Sequence, residues 1–206
     1  MDKEDKGPAD AGLLSVAVIQ SIKRGFQGSA MKKRIILITG LMASGKSTVA
    51  QLLSERMEKA VHLRGDVFRR MIVSGREEMR ENATQEAIDQ LYLRYRLTAD
   101  AAKTYADHGF MVILQDNYYG QALLDITEML EGYLLDVIVL CPDAATIGKR
   151  EIGRGKSGYT CFAVEPLYTS FMAETPRIGH WIDSSELTAE ATVEAILSVL
   201  DGKNGE

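Results

Sequence analysis

From residue 31 onward, short apolar runs alternate with longer stretches in which apolar positions recur every three or four residues. In Arg34-Ile35-Ile36-Leu37-Ile38-Thr39 the central four positions are all apolar, which is the pattern of a strand buried on both faces. Phe110-Met111-Val112-Ile113-Leu114 repeats it as a third strand, and Tyr133 to Leu140 contains a fourth, closed by Pro142. Ala60-Val61-His62-Leu63-Arg64 reads as a short second strand and His180-Trp181-Ile182-Asp183 as a fifth. Helical spacing fills the gaps at 46–58, 66–74, 84–107, 119–131, 143–152, 166–174 and 187–200. The longest helix carries Ile88, Leu91, Tyr95, Thr98, Ala99, Ala102 and Tyr105 on one stripe, and Gly109 supplies its stop. Thr188 reads as the N-cap of the last helix.

Strand–helix alternation with fully apolar strands predicts an α/β domain of three layers, its sheet mostly parallel and covered on both faces. No internal repeat or linker divides residues 31–206, so they read as one domain. Residues 1–30 read as an N-terminal extension, poorly packed or an appended helix, that is dispensable for chemistry. Their apolar stretch Leu13 to Ile19 precedes the basic Lys23-Arg24, the reverse of a secretory signal.

Composition narrows the classes only modestly. The chain has 206 residues, 46% hydrophobic and 26% charged, enough for one soluble domain with a sizeable core. A net charge of −5 gives no reason to expect a long nucleic acid or an anionic membrane as partner. Two cysteines, Cys141 and Cys161, form neither a metal spacing nor a disulfide framework, which fits a reducing cytoplasmic setting. No apolar run approaches the ~18 residues of a membrane span.

The chemistry is carried by Gly40-Leu41-Met42-Ala43-Ser44-Gly45-Lys46-Ser47, which fits the phosphate-binding P-loop and lies between a predicted strand and a predicted helix. Its backbone N–H groups would form an anion nest running into a helix N-terminus. The expected nucleotide-binding set is Gly40, Ala43, Ser44, Gly45, Lys46, Ser47 and Thr48, with Lys46 on the β- and γ-phosphates of ATP and Ser47 on Mg²⁺. In parallel sheets ligands gather at the carboxyl ends of strands, so the residues there matter next. Strand two ends in Arg64-Gly65-Asp66 and strand three in Gln115-Asp116-Asn117. Asp116 after an apolar run has the Walker B arrangement and is expected to hold Mg²⁺ with Ser47. Asp66, one strand over, is placed to take a hydroxyl proton, although either aspartate could equally cap the next helix. Arg150, Arg154 and Lys156 run from a helix into the glycine-rich stretch 153–158, expected to be a mobile lid that brings Arg150 or Arg154 to a transferring phosphoryl group. Tyr118, Tyr119, Tyr159 and Phe162 either line an acceptor pocket or simply pack. Arg69 and Arg70 either reach an anionic acceptor or are surface charges, and Arg177 is a candidate neighbour of the nucleotide base.

Together, the P-loop, Asp66, Asp116, the Arg-Glu-Ile-Gly-Arg-Gly stretch at 150–155 and the ending Trp181 to Thr188 resemble small P-loop kinases, most nearly the chloramphenicol phosphotransferase-like family. Gly65-Asp66-Val67-Phe68-Arg69 is similar to adenylylsulfate kinase. The resemblance implies a five-stranded parallel sheet in order 2-3-1-4-5, ATP-dependent transfer to a hydroxyl, and Asp66 as general base. It does not imply chloramphenicol as the acceptor. The reading is therefore an ATP- and Mg²⁺-dependent phosphotransferase, with catalytic residues Lys46, Asp66, Arg150 and Arg154, acting on a small molecule. The alternatives are a nucleotide-dependent ATPase or switch with a protein partner, and a kinase of a nucleotide or of a nucleic-acid end.

Overall fold

The computed structural model describes residues 33–80, 82–153 and 163–202. The expected extension 1–30, and Arg154 with most of the expected lid, lie outside them. Five strands, β1 (Arg34–Gly40), β2 (Ala60–Arg64), β3 (Met111–Gln115), β4 (Leu134–Leu140) and β5 (His180–Ile182), alternate with helices. The helices are α1 (Lys46–Glu55), α2 (Asp66–Arg70), α3 (Gln85–Asp107), α4 (Gln121–Met129), α5 (Ala144–Ile152), α6 (Val164–Glu174) and α7 (Ala189–Gly202). All strand pairs are parallel, in the order β2-β3-β1-β4-β5.

The three layers follow from the period-two geometry of the strands. Ile35 and Leu37 of β1, Val112 and Leu114 of β3, and Val137 and Val139 of β4 face one side of the sheet. There they meet Tyr95, Ala99 and Ala102 of α3, Leu123 and Ile126 of α4, and Phe171 of α6. Ile36 and Ile38, Ile113, and Ile138 and Leu140 face the other side, against Val49 and Leu53 of α1 and Val193, Ile196 and Leu197 of α7. Each such large side chain removed from water stabilises the fold by about 1.5–3 kcal/mol. Because alternate residues serve both layers, the strands read as unbroken apolar runs.

Most element boundaries move by only a few residues from those read in the sequence. α1 stops at Glu55, short of 58. α2 is five residues long, ends at Arg70 and buries none of its side chains, so nothing extends it to 74. Asp143 caps α5 through Thr146 N at 2.6 Å, and Thr188 caps α7 through Ala191 N at 3.1 Å. Gly109, at φ 77°, follows the end of α3 in the left-handed conformation expected of a helix stop. Tyr105 departs from its expected place on the buried stripe: it is 42% exposed and stacks edge-on against Phe110. At the amino-terminal end of the sheet, Arg34 Nε donates to Asp136 Oδ2 at 2.6 Å between two nearly buried side chains.

Candidate active site

A cleft of about 570 Å³ opens at the carboxyl ends of the strands. One wall is the loop between β1 and α1. Ala43, at φ 62°, and Gly45, at φ 98°, take left-handed backbone conformations that turn successive N–H groups toward one side. No side chain caps α1 at Gly45, so its first donors remain available to an anion. Holding a non-glycine residue such as Ala43 in this region costs about 1 kcal/mol, a strain typical of ligand sites. Gly40 ends β1 opposite Leu140, and its carbonyl accepts from Lys46 Nζ at 2.9 Å. Lys46 Nζ also donates to Leu41 O at 2.7 Å. This almost buried ammonium thus curls back over the loop, while Ser47 and Thr48 face the open cleft.

Strand β3 brings Gln115 and Asp116 to the same cleft. Thr39 at the end of β1 locks the two strand ends together, donating to Tyr118 O at 2.6 Å and accepting from Tyr118 N at 2.9 Å. Ser47 Oγ then donates to Gln115 Oε1 at 3.3 Å. Asp116 is only 5% exposed. Its Oδ1 accepts from Asn117 N at 2.8 Å, and its Oδ2 lies 3.0 Å from Arg94 Nε of α3. The second contact is an ion pair without an aligned hydrogen bond. Burial pushes the Asp116 carboxyl upward, while Arg94 and Lys46 oppose that push. Gly65, in an ordinary helical conformation, is required here for space: a Cβ at this position would collide with the Asp116 carboxylate.

Asp66 opens α2 one residue after β2 and lines the same cleft, at the end of a strand that lies two places from β1 in the sheet. Arg70, one turn further along α2, donates to its Oδ2, and Arg64 Nε lies 3.6 Å from its Oδ1. Arg150 of α5 reaches the cleft from the other side, with Nη2 donating to Ser184 O at 2.7 Å and Nη1 to Ser44 O at 3.3 Å. It therefore bridges the P-loop and the β5–α7 connection.

The structure thus gathers Ala43, Ser44, Gly45, Lys46, Ser47 and Thr48 along one wall of this cleft, with Gly40 just behind them. Asp66, Asp116 and Arg150 face the same space. Three other candidates stand elsewhere. Arg177 stacks over Trp181 at 3.9 Å and donates to Met172 O, outside the cleft lining. Tyr118 is fully buried in the core and Tyr119 packs edge-on against Phe171, so both serve packing. Arg94 went unnoticed in the sequence. Its signal was nevertheless present: it is a charged residue inside the α3 stripe, three after Leu91 and four before Thr98.

The donor set fits a nucleotide phosphate and a hard cation. The loop offers backbone N–H groups and an ammonium, while Ser47 and Asp116 offer hard oxygens. Among the described residues no three His, Cys, Asp or Glu side chains group together, so a cation here would share its shell with phosphate oxygens and water, as Mg²⁺ commonly does. Among the same residues no helix is long and apolar enough to cross a membrane.

Comparison with known proteins agrees with this fold. The family AAA_33, described as an AAA domain, matches residues 35–166. No curated protein sequence matches the chain. Among solved structures, a sugar kinase from Janibacter sp. HTCC2649 superposes with a TM-score of 0.58 at 20% identity, over 82% of this chain and 94% of that one. The tunicamycin resistance protein of Deinococcus radiodurans gives 0.63 at 16% identity, over 81% and 95%. The APS kinase of Mycobacterium tuberculosis, in complex with AMPPNP and APS, gives 0.60 at 15% identity, over 82% and 98%. At these identities the likeness concerns the fold, which is that of P-loop kinases.

Proposed function

The chain belongs to the AAA_33 family of AAA domains, and from that premise we propose that it is an ATP- and Mg²⁺-dependent phosphotransferase acting on a hydroxyl group of a small molecule. The observation that carries the reading is that the carboxylate of Asp66 lines the same cleft as the P-loop. A nucleotide switch needs only the phosphate wall, whereas a carboxylate in the same cleft can take the proton of an acceptor hydroxyl. Three solved kinase-type neighbours of nearly the same extent support it by fold.

Bound in this cleft, ATP would supply the γ-phosphoryl group, and Mg²⁺ would neutralise part of its charge. Lys46 and the loop N–H groups hold the phosphates in line. Ser47 and Asp116 would hold the metal ion that neutralises phosphate charge. Arg150 meets the charge that develops on the transferring group, with Arg154 as a second candidate from the lid. The acceptor's hydroxyl proton passes to Asp66 as its oxygen bonds to the γ-phosphorus and the bond to the β-phosphate oxygen breaks. The reaction is the one the chloramphenicol phosphotransferase-like resemblance implies, the acceptor being any alcohol that fits beside Asp66. A phosphotransferase that draws on ATP would work in the cytoplasm.

Asp66→Asn tests the reading. Nucleotide affinity should stay within about twofold while acceptor phosphorylation falls by roughly 10²–10⁴. Calorimetric titration of nucleotide and a product assay on the same preparation check both halves. Near-normal transfer by the variant would remove Asp66 from the role of base.

A further inference from the structure

The charges that line the cleft do not balance. Among the described residues, Lys46, Arg64, Arg70 and Arg150 face it, against Asp66 and Asp116. Lys46 and Arg150 flank the phosphate wall, and Asp116 already has Arg94 behind it. On the far side, Asp66 alone faces two guanidinium groups, Arg64 and Arg70. That side therefore carries a surplus positive charge in a chain whose formal charge is −5. Neighbouring arginines are disposed differently: Arg69 is tied to Glu78, and Arg76 Nε lies 3.7 Å from the same glutamate. Neither of these lines the cleft.

Two arginine forks beside a single carboxylate are more than a neutral alcohol can use, and they match the geometry of carboxylate, sulfate or phosphate oxygens. The pairing also occupies the proposed base. Arg70 holds Oδ2 of Asp66, whereas its Oδ1 is buried without a hydrogen-bond partner. An anion arriving on Arg70 would take over the guanidinium and leave the carboxylate free to turn to a hydroxyl.

Resting on the phosphotransferase reading above, we infer that the acceptor carries an anionic group next to its reactive hydroxyl, that Arg64 and Arg70 bind this group, and that its binding releases Asp66 from Arg70. The acceptor is then an anionic alcohol, and the base is freed only when it is present.

The test is a titration of sodium sulfate, at constant ionic strength, into the full chain saturated with Mg²⁺ and a non-hydrolysable ATP analogue. The analogue fills the phosphate wall, so only the far side remains to be probed. One sulfate should bind per chain. Arg70→Gln and Arg64→Gln should each weaken it at least fivefold, and Arg69→Gln should leave it unchanged. Asp66→Asn removes the competing carboxylate and should tighten it severalfold. Arg70 is a surface side chain, 65% exposed, so its variant should fold, which a thermal melt confirms. Failure of sulfate to bind, binding indifferent to Arg64 and Arg70, or weakening by Asp66→Asn would overturn the inference. Phosphorylation of neutral alcohols without sulfate binding would overturn it while leaving the phosphotransferase reading intact. Sulfate binding by a protein that transfers phosphate to no alcohol would remove that reading and leave an anion site.

Discussion

Arg94 shows how much one side chain can contribute without touching substrate. Its side chain is 13% exposed, and its guanidinium sits against a carboxylate that is nearly out of water. An isolated buried carboxylate is strongly disfavoured, so the ion pair sets whether Asp116 is present as an anion at the strand end. Replacing Arg94 by Met strands that charge. The expected loss is about 3–5 kcal/mol of stability, read from the denaturant midpoint at unchanged slope. Adding Asp116→Asn should restore part of it, because the stranded charge is then gone. If the single variant is as stable as the parent, the pair does not hold Asp116. A second residue-scale effect concerns pH. Burial, and secondarily the charge of Arg64, hold the His62 imidazole below its usual value of 6.5. The unfolded chain therefore takes up a proton at His62 before the folded one does, and stability should decline as pH falls below about 6.5. His62→Gln should flatten the melting temperature between pH 7 and 5; an unaltered slope would point to other groups.

Elements were legible where their energetics are local. β1 buries all seven of its residues, and an unbroken apolar run is the sequence form of that fact. The cap of α7 was equally plain, since Thr188 needs only the N–H groups that follow it. Thr188→Ala should cost about 1 kcal/mol, measured by chemical denaturation, and a change under a few tenths would deny the cap its role. α2 was overextended because Phe68, Met71 and Ile72 look helical in sequence, yet the helix packs no side chain into the core. That the P-loop residues, Asp66 and Asp116 come to one cleft was readable from motif and strand-end position, and the place of Arg150 from the helix end before the glycine-rich stretch. The position of Arg94 inside the apolar stripe of α3 is visible in the sequence, but its partner is not, because Asp116 is 22 residues away and meets it only through the way α3 crosses the sheet. Arg177 was read toward the nucleotide, but the ring of Trp181 offers it a nearer cation–π partner. The 2-3-1-4-5 order followed from family resemblance alone, since apolar periodicity does not say which strands are neighbours.

At the scale of the molecule, the sheet divides labour between its two ends. The amino-terminal end carries the buried Arg34–Asp136 pair, and the carboxyl end carries the cleft with its unbalanced charges. Both helical layers pack against the same strands, so the P-loop, Asp116 and Asp66 are held at fixed separations by β1, β3 and β2 in turn. Rigid placement of two reactants side by side can by itself supply ~7–11 kcal/mol toward a barrier. Such an arrangement is suited to transfer between two bound molecules more than to hydrolysis alone. The most direct test of this central claim is mass spectrometry of hydroxyl compounds, neutral and anionic, incubated with the full chain, ATP and Mg²⁺. Phosphoryl transfer should give a product heavier by one phosphoryl group, formed in step with ADP and lost in Asp66→Asn. Steady release of inorganic phosphate with no phosphorylated product, at a rate indifferent to every alcohol and to Asp66→Asn, would contradict it.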